Sequence, residues 1–323
     1  MQTVSRTDAI PVPDGLYLDS GICVSNAYLR YQERYNGGYD VTSGRSLRIA
    51  TGGSGQSGLI RAWANEFIKF CVTNGVDEPF FVDWYLGDTT ESLGLLQDGS
   101  VDVALTYNDA AERQALRNSS AVRRVYGFRD HFYLVGPTSD PAQTGKTTNV
   151  LDAFNRIVSS GNRDALIPPD VREPTRFLSR FDKSATNIKE SQLFITIGQV
   201  PWALTYSKWY HQYPRFPLQA LEAAASLKEY TLTDRGTWLS SKYHVRSELR
   251  IYQRGDQNDP GGWLLNPARV LMGAKAKEKK LATYFLDWVI APNGGQKVIR
   301  EFKKNGEVLY APAPENELEL TNL

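Results

Sequence analysis

From residue 46 onward the chain alternates short apolar runs with stretches in which apolar residues recur every three or four positions. Leu47, Ile49 and Ala50 mark a strand over 46–51, and Leu59, Ala62, Trp63, Phe67, Phe70 and Cys71 share one face of a helix over 58–73. The same reading gives a strand over 79–86, a helix over 89–97, a strand over 101–107 and a helix over 109–117. That order predicts βαβ units, hence a parallel sheet with right-handed crossovers. A strand over 130–136 closes on Gly136-Pro137 and opens a second unit. Helices follow over 150–159, 182–197 and 202–212, then a short strand over 230–232 and the polar turn Thr233-Asp234-Arg235-Gly236. A strand over 267–274 and a helix over 277–290, with Leu281, Tyr284, Phe285, Trp288 and Val289 on one side, complete the pattern. Residues 1–45 scatter Pro, Gly and Asp around one helical turn at 26–35 and read as an extension wrapped on the main body.

Between the first strand and its helix lies Thr51-Gly52-Gly53-Ser54-Gly55-Gln56-Ser57-Gly58. Glycines let a backbone approach a ligand closely, and the free N–H groups and dipole of a following helix favour negative charge. Thr51, Ser54 and Ser57 add hydroxyl donors beside the N–H groups of Gly53, Gly55 and Gln56, so the loop reads as an anion site. Two other readings stay open. Gly53-x-Gly55-x-x-Gly58 also satisfies the dinucleotide fingerprint, with Asp83 as the acidic residue beyond its usual spacing of about 20. A serine before a helix also serves as an N-cap.

Composition narrows the function. With 323 residues, 41% hydrophobic and 23% charged, the chain is long enough for two domains with their own cores. A net charge of +1 with no Lys/Arg block excludes affinity drawn from nucleic-acid phosphates or an anionic membrane. His131, His211 and His244 stand apart from one another and from the two cysteines, which points to no metal and no cofactor. Of Cys23 and Cys71, the second lies on the apolar helix face and reads as a core thiol. Gly145-Lys146-Thr147 lacks the first glycine of a phosphate-binding loop, since Asp140 stands in its place, and the serines among the loop glycines do not form a nucleophile elbow. No catalytic residues emerge. Residues 1–25 lack a secretory pattern and no run is long enough to span a membrane, so the chain as written is soluble and cytoplasmic, or periplasmic or extracellular if a signal had been removed.

Several segments resemble the tungstate-binding proteins of ABC transporters, members of the type II periplasmic-binding-protein family. They are 47–59, Leu96-Gln97-Asp98-Gly99-Ser100-Val101-Asp102-Val103-Ala104-Leu105, 132–137, Phe177-Leu178-Ser179-Arg180, Tyr230-Thr231-Leu232-Thr233-Asp234-Arg235-Gly236-Thr237, Leu264-Leu265-Asn266-Pro267 and Phe285-Leu286-Asp287-Trp288. The resemblance implies an α/β fold of two lobes joined by two crossing hinge strands, with ligand held in the interlobe cleft. It places lobe 1 at 46–133 plus 270–311, lobe 2 at 137–266, an extension at 1–45 and a tail at 312–323. The implied function is a monomeric, non-catalytic solute-binding protein for a small oxyanion of the tungstate, molybdate or phosphate kind, or an anionic metabolite, partnered by an ABC permease. An intracellular anion sensor and a nucleotide-using enzyme are the alternatives. Arg180 matches the family's ligand arginine, Ser184 is retained at the next helix entry, and Thr89, Tyr107 and Arg235 fall where they would line the same cleft. The family's threonine-rich first loop is replaced by Thr51-Gly52-Gly53-Ser54-Gly55, Tyr107 stands where relatives often carry histidine, and Gly-Asp-Asp-Ser-Gly becomes Phe181-Asp182-Lys183-Ser184-Ala185. The anion is therefore left open.

Overall fold

The computed structural model describes residues 29–203, 207–256 and 262–318. Strands β1 (Glu33–Tyr35), β2 (Ser46–Thr51), β3 (Phe81–Leu86) and β4 (Val103–Thr106) form one half of a continuous sheet. β2 is central and parallel to both β3 and β4. Because helices cover both faces, β4 is buried at every position and β2 at Leu47 and from Ile49 to Thr51, with Ser46 and Arg48 half-buried. β5 (Ala121–Pro137), 17 residues long, continues the sheet into its other half, where β6 (Phe177–Ser179), β7 (Tyr210–Gln212), β8 (Tyr230–Asp234) and β9 (Leu249–Arg254) gather. β10 (Leu265–Gly273) returns antiparallel to β5, from Leu265 opposite His131 to Gly273 opposite Ala121.

The two halves have separate cores, and β5 runs through both. Val125 and Phe128 join Trp63, Phe67 and Phe285, whose rings meet edge to face at 5.1–6.0 Å. Phe132 and Leu134 join Phe154, Phe177 and Phe194, which pack at 4.7–5.6 Å. A strand feeding two cores is the architecture of two lobes with crossing connections.

The predicted strand over 130–136 is thus the second half of a longer one. Arg123 and Arg124 hid its beginning; the Arg124 guanidinium is buried against Glu112 at 2.6 Å. The helix expected to stop at 159 runs from Val150 to Leu166, and its Gly161 is required because a Cβ there would come within 2.5 Å of Trp209. The helix expected over 202–212 does not form. Pro201–Ala203 is a single 3-10 turn, 204–206 lie outside the described residues, and Tyr210–Gln212 pairs in parallel with β6. The turn expected at 233–236 is instead the end of β8 and the start of a helix, Arg235–Ser240. The helical turn expected over 26–35 is corrected to strand at Glu33–Tyr35, antiparallel to β3, with 26–28 outside the described residues. Strand pairing with β3 decided this segment against its local pattern. Cys71 is buried in the first core, its thiol pushed up to about 12 by burial; Cys23 lies outside the described residues. Among the described residues no helix is long and apolar enough to cross a membrane.

Candidate ligand-binding site

The glycine-serine loop opens with one helical turn, Gly53–Gln56, capped by Gly52. The N–H groups of Gly55 and Gln56 donate to the Gly52 carbonyl at 2.9 and 3.2 Å, so neither is free for a ligand as the sequence suggested. The turn leaves over the amides of Gly53 and Ser54. Gly55 serves packing: a Cβ there would lie 2.0 Å from Trp84, whose Nε1 donates to the Thr51 carbonyl at 2.8 Å. Thr51 and Ser54 are both buried and share a hydroxyl hydrogen bond of 2.8 Å. Ser57 is fully engaged. Its hydroxyl donates to the Ser54 carbonyl at 2.9 Å and accepts from Tyr310 at 2.8 Å, and the helix Leu59–Thr73 is capped by Gly58 in the left-handed region at φ +94°.

At the end of β3 the N-cap is Asp88, not Thr89. Glu91 N–H donates to Asp88 Oδ1 at 2.9 Å and Asp88 N–H to Glu91 Oε2 at 3.0 Å, a closed capping box. Thr89 is the first helical residue, and its hydroxyl accepts from the Tyr107 N–H at 3.4 Å. Burial first and Asp130 second push the ionisation of the Tyr107 hydroxyl up, with the neighbouring Ser54 acting the other way. Asp83, the acid required by a dinucleotide reading, is spent: it accepts from Arg34 at 2.7 and 2.8 Å and from Ser46 at 2.5 Å.

In the other half, Arg180 follows β6 with its side chain only 11% exposed. Its Nη2 meets Asp182 at 2.6 Å and its Nε donates to the Arg215 carbonyl at 3.2 Å. It lines a narrow recess with Thr186, Thr231, Thr233 and Asp234, at the carboxyl ends of β6 and β8. That edge is where open α/β sheets bind ligands. Phe181, at the glycine position of the resembling family, keeps a positive φ of +42°. Ser184 caps the helix Ala185–Thr196 and gives its own hydrogen to Asp182 at 2.5 Å, so it shapes the loop instead of facing a ligand. Asp234 caps Arg235–Ser240 through the N–H and hydroxyl of Thr237 at 2.7 and 2.5 Å. Arg235 donates to Glu307 at 3.2 Å, and its Nε is buried without a partner among the described residues.

The halves meet at the crossing strand. Asp130 on β5 lies within the electrostatic reach of Tyr107 and Tyr310 from one side and of Asp234 and Arg235 from the other. Burial, and after it the charge of Asp234, raise the Asp130 carboxyl well above the ordinary range, against the N–H of His131 and the charge of Arg235. The next residue, His131, is pushed down to about 4, first by burial, and its Nδ1 holds the Gly255 carbonyl. Thr51, Ser54, Ser57 and Tyr107 thus form one group, Arg180, Ser184 and Arg235 a second, and no direct contact joins Ser54 to Arg180. Sequence reading missed Asp130, Tyr310, Lys183 and the capping role of Asp88. Only the last had a local signal, the three-residue spacing of Asp88 and Glu91.

Two lobes with separate cores on crossing strands, with polar groups converging where they meet, are the architecture of a ligand-binding cleft. The PBP superfamily domain matches residues 39–293, and the chain belongs to that superfamily. A protein of Haloferax volcanii, provisionally described as an ABC transporter anion-binding protein, is 27% identical over 228 residues, 69% of this chain and 61% of that one. The chain therefore spans somewhat under two thirds of that relative. A solved periplasmic protein, provisionally described as metal-binding, is 46% identical with a TM-score of 0.78, covering 88% of this chain and 99% of its own. The tungstate-binding protein TupA from Desulfovibrio alaskensis G20 is 27% identical with a TM-score of 0.67, covering 83% and 99%.

Proposed function

We propose that the protein captures a small oxyanion of the tungstate or molybdate class between its lobes, as a monomer in the periplasm, and presents it to an ABC permease. The lobes are 46–133 plus 270–311 and 137–266. The observation that carries this reading is the convergence at β5, where Tyr107 from one core and Asp234 and Arg235 from the other lie within electrostatic reach of the Asp130 carboxyl. Burial first and the Asp234 charge second raise the Asp130 carboxyl and so favour its neutral form, which donates a hydrogen bond where the charged form would repel the anion. Arg180, oriented by Asp182 and the Arg215 carbonyl, supplies a guanidinium whose remaining N–H groups suit an oxyanion. Tungstate and molybdate are metals carried as anions, which reconciles the two descriptions among the relatives. A free metal cation is the weaker reading, since no group of three or more His, Cys, Asp or Glu among the described residues is placed to hold one.

Thermal melts against tungstate, molybdate, phosphate, sulfate, divalent cations and NAD test this. A true ligand stabilises the protein as RT ln(1 + [L]/Kd). Arg180→Ala should lower oxyanion affinity by about 2–4 kcal/mol, roughly 30- to 1,000-fold, without abolishing folding. Stabilisation by a divalent cation alone, undiminished in Arg180→Ala, would overturn the oxyanion reading.

A further inference from the structure

Lys183 stands between Asp182, which holds Arg180, and Ser184, which caps the next helix. Its ammonium reaches across to the other half of the sheet, 3.0 Å from Glu91 Oε1 and 3.4 Å from Asp88 Oδ2. These acceptors are the atoms the capping box does not use, because the box closes through Asp88 Oδ1 and Glu91 Oε2. The box therefore fixes two carboxylates side by side and leaves one oxygen of each turned toward Lys183. Glu91 is only 15% and Asp88 23% exposed, so this socket is better shielded than an ordinary surface pair.

We propose that Lys183 is a positioning residue that latches the Arg180 loop onto the helix beginning at Thr89 when the lobes close, and so slows ligand escape. This rests on the oxyanion reading only for its consequence on binding; the latch itself is a contact between lobes. Hinge closure is governed by contacts present in one state and absent in the other, and a cross-cleft ion pair is such a contact.

Stopped-flow dissociation of tungstate, with molybdate as second probe, and small-angle scattering of the full chain test it. Lys183→Met keeps the stem and leaves both cap residues untouched. It should release the anion about three- to tenfold faster with little change in association, and its release should lose the salt sensitivity expected of the wild type. Lys183→Arg should restore both. Lys183→Glu, which sets three carboxylates together, should enlarge the radius of gyration even without ligand. If tungstate binds but Lys183→Met releases it at the wild-type rate, the latch is wrong and the oxyanion reading survives. If no oxyanion binds, that reading fails while the scattering of Lys183→Glu still decides: a wild-type radius of gyration overturns the latch.

Discussion

The two groups of polar residues that the proposed function makes the walls of one cleft are built by different physics. The wall after β2 is uncharged and sterically determined: Gly55 lies on Trp84, Thr51 and Ser54 bond each other, and Ser57 is held by Tyr310. The wall after β6 is a network of charges, with Arg180 on Asp182 and Lys183 on Glu91 and Asp88. On the reading given above, the packed wall sets the size of the ligand and the charged wall sets its sign. Changes in the first should act through stability, and changes in the second through pH, salt and affinity.

The largest effect is expected at Gly55. Its backbone is helical, so alanine meets no dihedral penalty, and the whole cost is the collision with Trp84. Trp84 is 4% exposed and tied to the Thr51 carbonyl, so it has nowhere to turn. Gly55→Ala should cost about 3 kcal/mol in denaturant unfolding, at the upper end for overpacking. Adding Trp84→Phe should recover part of it. A Gly55→Ala variant of normal stability that fails only to bind would show that the glycine exists for the ligand, and would dissolve the contrast between the walls.

Glu190 gives the next largest effect. It sits behind the charged wall, 1% exposed, accepting from Tyr210 at 2.7 Å. Burial pushes it up to about 8 against the opposing bonds of Ser179 and Tyr210. The folded state then keeps a proton that the unfolded chain releases above its ordinary value of about 4.3. Stability contributed by this group is complete below that value and is lost as pH rises toward 8. Glu190→Gln should match the wild type near pH 4 and exceed it by a margin that widens as pH rises to 8. Asp130 has the same sign, so the slope should shrink without vanishing. Parallel stability curves for the two proteins between pH 4 and 8 would remove Glu190 from the charged wall's account.

Sequence made the packed wall's chain path visible and its chemistry obscure. β2 and the helix Leu59–Thr73 form where their apolar spacing places them, because Leu47 and Ile49 of the strand and Leu59, Trp63, Phe67 and Cys71 of the helix are buried. Gly55 looked like room for a ligand because Trp84, which explains it, lies 29 positions away. Tyr310 is 253 positions from Ser57, and Lys183 is 92 from Glu91. No local periodicity reports contacts of that separation. The resemblance to a known family supplied the lobes and Arg180, while the cross-lobe groups depend on closure of the tertiary structure. Asp130 carries no local mark at all: its chemistry comes from a crossing strand that brings Asp234 beside it.

The smallest effect sharpens the comparison most. Tyr310 is 4% exposed, stacks on Phe302 at 5.9 Å and donates to Ser57, which in turn donates to the Ser54 carbonyl. Tyr310→Phe keeps the ring and removes one hydrogen bond, leaving Ser57 with an acceptor site unfilled. The expected loss is about 1 kcal/mol of stability, the net value of one buried hydrogen bond. Because the Ser57 hydrogen is already committed to Ser54, its direction is unchanged, and oxyanion affinity should stay within about twofold of the wild type. Isothermal titration beside a urea melt separates the two quantities. A tenfold loss of affinity with unchanged stability would mean that Ser57 and Tyr310 reach the ligand together, and the wall described as scaffold would have to be redrawn as part of the binding surface.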